Sequence, residues 1–264
     1  MQKFDVSVIL PIKSSSSVEF DSYFEKAINS LKEQKTQINE LIIVYCEETN
    51  LIEKLDTYDF GDIQVKKLAW KETPNFANQI NYGVQNASSE WVSIFEFDDE
   101  YSKIWFDNVK KYSEVYDKVH VFLPIVVDTD DKGKFVGFTN EATFALNIAT
   151  EMGILTNEVL QDFQNFQMSG MVVKKQTFID LGMLKPSFKL TFGYEMFLRL
   201  TYSGVRIMTI PRIGYKHTNF REGSIFWNYK NGENILSQNE IKFWIDSAKN
   251  EYFFTTDREI KFQD

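Results

Sequence analysis

Glu96-Phe97-Asp98-Asp99 gathers three carboxylates within four positions, and Glu100 adds another. These residues close an apolar run at 91–97 (WVSIFEF), whose β-branched and aromatic content predicts a buried strand. A strand that delivers carboxylates where the backbone turns sharply sets like charges side by side, and a cation relieves their repulsion. Hard oxygen donors suit Mg²⁺ or Mn²⁺, which keep several waters and bridge the phosphates of a nucleotide. A solvated acidic loop has the same composition, so the cluster alone leaves metal binding and plain solvation both open.

Two more strand ends carry residues of interest. Residues 6–12 (VSVILPI) read as a strand buried on both faces, ended by Pro11 and followed by the polar Ser14-Ser15-Ser16-Ser17. Residues 41–45 (LIIVY) read as a second strand, running out into Cys46-Glu47-Glu48. Between them Phe20, Tyr23, Phe24, Ala27, Ile28 and Leu31 recur at helical spacing, which predicts an amphipathic helix. Strand, helix and strand at this distance make a βαβ unit with parallel strands and a right-handed crossover. A weaker strand is expected around 63–68 and a helix over about 75–86, ahead of the acidic strand. Ligands of open α/β sheets bind beyond the carboxyl ends of the strands, near a switch in strand order.

The second half is mixed. Residues 119–127 and 134–138 flank the turn sequence Asp130-Asp131-Lys132-Gly133 and predict a β-hairpin. Short helices are expected near 157–163 and 175–181, the latter stopped by Gly182, and a longer one over 194–203 before Gly204. A strand over 205–210 should end at Pro211, and 238–254 reads as an amphipathic helix. No repeat or flexible linker interrupts the pattern, so one compact α/β domain is expected.

Composition narrows the chemistry. The net charge of −9 argues against nucleic acid as a partner, because phosphate backbones are held by clustered Lys and Arg. A small anionic ligand is compatible with that charge if a divalent metal neutralises it locally. The single cysteine, Cys46, excludes an internal disulfide, and no base stands near it in sequence to activate its thiol. With no apolar leader at Met1-Gln2-Lys3 and no membrane-spanning run, a cytoplasmic location is expected.

Taken in order, these segments resemble family 2 of the inverting glycosyltransferases, which have a GT-A fold. Val6-Ser7-Val8-Ile9-Leu10-Pro11 is similar to that family's opening strand, and Ala27-Ile28-Asn29-Ser30-Leu31 to its first helix. Asn81-Tyr82-Gly83 resembles the Asn-x-Gly helix, and Glu96-Phe97-Asp98-Asp99 falls on the DxD motif. Ser169-Gly170-Met171, Phe197-Leu198-Arg199-Leu200, Gly204 and Pro211 follow the C-terminal pattern. The resemblance spans residues 4 to about 224. It implies a GT-A domain over 1–224 (a nucleotide-binding half at 1–118, an acceptor half at 119–224) and a helical extension over 225–264.

The resemblance also implies an activity: transfer of a sugar from a nucleotide-sugar donor to a glycan or glycolipid-type acceptor, assisted by Mg²⁺ or Mn²⁺. Asp98, Asp99 and His217 would hold the metal. Pro11, Ile12, Lys13, Tyr45, Glu47, Asn81, Glu96 and Asp98 would bind the donor. Arg212, Lys216 and Arg221 flank His217 and could meet a diphosphate, or they could be an ordinary solvated surface. His120, inside an apolar strand start, reads as structural.

Three departures stand out. Glu96 replaces the usual first Asp of DxD, and Tyr45-Cys46 stands where an Asp normally binds the nucleotide base; Glu47 or Glu48 could substitute, Tyr45 could stack on the base, or both glutamates could simply solvate the loop. The acidic pair that normally supplies the catalytic base becomes Phe192-Gly193, so Glu195 is the nearby carboxylate left as base or as a helix cap. A catalytically degenerate relative that binds nucleotide or glycan without turnover is therefore one rival reading. A sugar-phosphate nucleotidyltransferase is another, although the first loop lacks the Gly-rich basic signature that would hold a triphosphate. The aromatic segments at 226–229 and 243–244 could pack in the core, cover an acceptor or rest on a membrane surface.

Overall fold

The computed structural model describes residues 2–14, 19–47, 51–145, 148, 151–219, 221–232 and 234–263. Ser15–Ser17 of the first polar loop and Glu48 lie outside the described residues. The nucleotide-binding half runs β1 (Val6–Ile12), α1 (Phe20–Lys32), β2 (Glu40–Cys46), α2 (Leu51–Asp56), β3 (Gln64–Trp70), α3 (Phe76–Gln85), β4 (Trp91–Ile94), β5 (Glu100–Tyr101) and α4 (Trp105–Val115). There follow β6 (Val119–Thr129), β7 (Phe135–Thr139), β8 (Ile154–Leu155), α5 (Asn157–Asp162), β9 (Val172–Lys174), α6 (Lys175–Asp180), α7 (Phe192–Tyr202), β10 (Arg206–Thr218), α8 (Ile225–Asn231) and α9 (Gln238–Glu251).

The strands form one mixed sheet in the order β3-β2-β1-β4-β9-β6-β10-β5. Strands β3, β2, β1 and β4 are parallel, β9 runs antiparallel to both neighbours, and β6 and β10 are parallel again. The chain steps outward from β1 to β3 and then returns to the other side of β1 as β4. This reversal makes the β1–β4 crevice the switch point of the sheet.

Each face of the sheet carries a core. Ile9, Ile42 and Val44 face α3, α7 and α9, while Val8, Leu10, Leu41 and Ile43 face α1, α2 and α4. Burial on both faces explains why these strands read as continuous apolar runs rather than alternating ones. Helix α3 lies so close to the sheet that a Cβ on Gly83 would fall 2.4 Å from Ile9 Cγ2 and 3.1 Å from Val44 Cγ2. Gln79 on the same helix donates to the carbonyls of Ile12 (3.1 Å) and Val44 (2.9 Å), tying together the carboxyl ends of β1 and β2.

Several boundaries differ from the sequence expectations. Strand β10 does not end at Ile210: it continues through Pro211 to Thr218. Its register against β6 shifts between Thr209 and Ile213, and this irregularity absorbs the residue that cannot donate to the ladder. Strand β4 stops at Ile94, so Phe95 to Asp99 leave the sheet before the acidic turn. Residues beyond 224 share the domain core: Trp244, Ala248 and Tyr252 pack into it, and Thr191 Oγ1 donates to the Trp244 carbonyl at 2.8 Å. Among the described residues, no helix is long and apolar enough to cross a membrane.

Candidate active site

The acidic turn after β4 meets the end of β10. Asp99, fully enclosed, accepts the Thr218 backbone N–H at 2.8 Å on Oδ1 and lies 3.1 Å from His217 Nδ1 through Oδ2. The Thr218 hydroxyl donates to the Asp98 carbonyl at 2.6 Å. The Glu96 N–H donates to the Tyr215 hydroxyl at 3.2 Å, and Glu96 Oε1 accepts from the Ser169 hydroxyl at 3.3 Å. Asp98 Oδ2 accepts from Arg221 Nε, and the Arg221 guanidinium lies over the Phe97 ring, 4.7 Å from its centroid. Three residues of β10 (Tyr215, His217 and Thr218) and three of the turn (Glu96, Asp98 and Asp99) thus hold one another across the sheet.

One potential ligand atom from each of Glu96, Asp99 and His217 falls within 4.8 Å of the other two. The electrostatics of the cluster are those of excess negative charge. Burial, then the neighbouring Asp99, pushes the Glu96 carboxyl up to about 8. Burial and Asp99 also raise Asp98, against the opposing pull of Arg221. Burial works against the charged form of His217, but Asp99, with Glu96 and Asp98, overcomes it and pushes the imidazole up to about 10. Carboxylates that resist ionisation because they are buried beside one another fit a hard divalent cation, and a neighbouring imidazole completes a donor set acceptable to Mn²⁺ or Mg²⁺. Beside the cluster, Tyr23, Lys26, Asp98, Asp131, Lys216 and Thr218 help line a cleft of about 140 Å³.

The other residues singled out in the sequence are distributed as follows. Pro11 and Ile12 are buried at the carboxyl end of β1, opposite Val44 and Tyr45 of β2, and Lys13 is exposed just beyond them. Tyr45 is half-buried at the end of β2 and Glu47 is exposed after it. Asn81 is not turned to a ligand: it donates to the Leu184 carbonyl at 2.8 Å and accepts the Leu184 N–H at 3.0 Å, fastening α3 to the loop after α6. His120 Nδ1 lies 2.9 Å from Thr177 Oγ1, away from the cluster's described residues. Of the three flanking cations, Arg212 is exposed, Lys216 pairs with Glu100 at 2.7 Å, and Arg221 pairs with Asp98.

Glu195 does not reach the cluster's chemistry. It has no solvent exposure. Its Oε1 lies 2.8 Å from Lys185 Nζ and 2.9 Å from Arg199 Nε, and its Oε2 lies 2.9 Å from an Arg199 terminal nitrogen. Arg199 donates onward to the Leu181 and Met183 carbonyls, and Lys185 to the Glu251 carbonyl at 2.9 Å. The carboxylate is therefore the hub of a buried ion-pair network joining α7, the loop after α6 and the end of α9. A general base needs access to the proton it takes, and this position has none.

Sequence reading missed Thr218, Tyr215 and the clamp at Gln79. Thr218 adjoins His217, but its role depends on β10 extending past Pro211, which a proline-terminated strand hid.

The strand order, with its antiparallel β9 and the acidic turn at the switch point, is that of a GT-A fold. The chain belongs to glycosyltransferase family 2: the model described as Glycosyl transferase family 2 matches residues 7–172. Among solved structures, TarS 1-349 from S. aureus in complex with UDP is similar at a TM-score of 0.62 and 15% identity, over 95% of this chain and 72% of that one. Its complex with UDP-GlcNAc is similar at 0.61 and 15% identity, over 94% and 72%. At that identity the likeness concerns the fold. No curated protein matches the chain.

Proposed function

We propose that this glycosyltransferase takes a sugar from a nucleotide-diphosphate donor with the help of Mg²⁺ or Mn²⁺ and passes it, with inversion, to a hydroxyl of a glycan or glycolipid-type acceptor. The observation that carries the reading is the convergence of Glu96, Asp99 and His217 beside the β1–β4 switch point. A similar fold solved with UDP and with UDP-GlcNAc supports the donor class.

Glu96, Asp99 and His217 would hold the cation, which when bound supplies a Lewis acid that offsets charge developing on the departing diphosphate. Thr218 keeps Asp99 aimed at the site through its N–H, and Ser169 does the same for Glu96. Pro11, Ile12, Lys13 and Tyr45 would form the floor and wall for the nucleoside, on strand ends that Gln79 holds together.

A second reading is donor binding without turnover. It draws on one specific observation, the loss of Glu195 to the buried network together with Phe192-Gly193 in place of the acidic pair. Calorimetric titration of UDP, GDP, CDP and dTDP, each with and without Mn²⁺, comes first, followed by hydrolysis and transfer assays with the sugar donor of whichever nucleotide binds. Metal-dependent binding with turnover supports the transferase. Metal-dependent binding without turnover on any acceptor supports the second reading, and no binding by folded protein sinks both.

A further inference from the structure

Asp98 is the carboxylate of the DxD-like turn that does not join the three converging donors. Its Oδ2 is engaged by Arg221 Nε, and both side chains are nearly closed to solvent. Arg221 is placed by two weaker contacts, its guanidinium on the Phe97 ring and a hydrogen bond from a terminal nitrogen to the Glu222 carbonyl at 3.0 Å. The backbone beyond it is loosely surrounded: Gly223 has φ +82°, and no described atom lies within 4 Å of where its Cβ would sit. Arg221 lies outside both hydrophobic clusters of the core.

We propose that Arg221 and a divalent cation compete for the Asp98 carboxylate, so that the cation binds tightly only together with an anionic diphosphate that draws Arg221 away. This rests on the donor-site reading given above. A divalent ion on the Asp98 carboxylate would stand close to the guanidinium already held on Oδ2, and the two positive charges repel in this nearly closed site, whereas a diphosphate offers the guanidinium bidentate acceptors of its own. Asp98 then passes from Arg221 to the metal as Arg221 passes to the diphosphate. Metal and donor become coupled ligands, and the coupling is reciprocal.

The test is titration of Mn²⁺ alone, and of Mn²⁺ with saturating UDP or GDP, followed by calorimetry and by the electron-spin-resonance signal of free Mn²⁺. Arg221→Met keeps the apolar stem over Phe97 and removes the charge, and it is expected to bind Mn²⁺ alone about tenfold more tightly than wild type. Arg221→Lys retains a cation and is expected to stay near wild type. In an Asp98→Asn background, Arg221→Met is expected to change Mn²⁺ affinity by less than about twofold. Unchanged or weaker Mn²⁺ binding by a folded Arg221→Met overturns the proposal. Should that variant misfold, equal Mn²⁺ affinity of the wild type with and without a bound nucleotide overturns it instead. A wild type that binds no nucleotide defeats the donor-site reading separately, and the comparison with Mn²⁺ alone still decides the role of Arg221.

Discussion

His217 Nδ1 on β10 lies 3.1 Å from Asp99 Oδ2 at the turn after β4, across a separation of 118 residues. The contact makes Asp99 a partner of imidazole and backbone at once, and it leaves Glu96 as the carboxylate with least compensation. Asp99→Asn keeps an acceptor for the Thr218 N–H but removes a charge that opposes ionisation of Glu96 and Asp98. The variant is expected to melt no lower than wild type while Mn²⁺ affinity falls by at least about tenfold, the scale seen when metal-site partners are removed. A melting point several degrees lower with metal binding intact would show that Asp99 is structural.

Glu195 should matter to stability rather than to donor binding. Glu195→Gln leaves Lys185 and Arg199 buried without their counter-charge, and burial already pulls the Lys185 ammonium below the usual lysine range despite Glu195. Breaking such a pair from one side costs about 3–5 kcal/mol. Chemical denaturation should show a loss of that order, with nucleotide affinity of the folded fraction unchanged. Wild-type stability combined with abolished turnover would restore the base assignment.

Gly83→Ala sets two effects against each other. Alanine raises helix propensity by about 1 kcal/mol, but overpacking a fixed core costs about 1–3 kcal/mol. The clash should win, because the atom met at 2.4 Å is Ile9 Cγ2 and Val44 stands behind it at 3.1 Å. A melting temperature reduced by a few degrees is expected, and an increase would mean that α3 can lift off the sheet.

Glu40 gives stability a dependence on pH. It accepts from Ser7 Oγ (2.6 Å), Ser88 N (2.7 Å) and Ser88 Oγ (2.8 Å). Burial works to raise its carboxyl, but these hydrogen bonds more than offset it and hold the group below the usual range. The native state therefore binds fewer protons than the unfolded chain, so the contribution is complete above about pH 4.3, the ordinary glutamate value, and is lost as pH falls through the lower native value. Melting curves of wild type and Glu40→Gln should differ most above about pH 5 and draw together as the pH falls through the lower native value. A gap that stays constant with pH would remove Glu40 from the account.

The βαβ opening, the acidic turn and the hairpin around Asp130 to Gly133 were legible because each is a local pattern: an apolar run, a helical period, a turn sequence. The role of Glu195 was not legible. A carboxylate in the first turn of a helix looks alike whether it faces a substrate, caps the helix or enters a buried ion pair. Asn81 likewise fits a ligand role in sequence, and its bonds to Leu184 depend on how α3 meets a loop 103 residues away.

By itself the sequence determined the class of fold and the carboxylates available to it, since burial on both faces and abrupt polar strand ends are written in residue order. The tertiary structure alone decided which of those carboxylates work together. Asp99 finds His217 across 118 residues and Asp98 finds Arg221 across 123, because β10 runs past Pro211 to reach the turn after β4. Such pairings follow from strand order and packing between distant segments, and no local period in the chain encodes them.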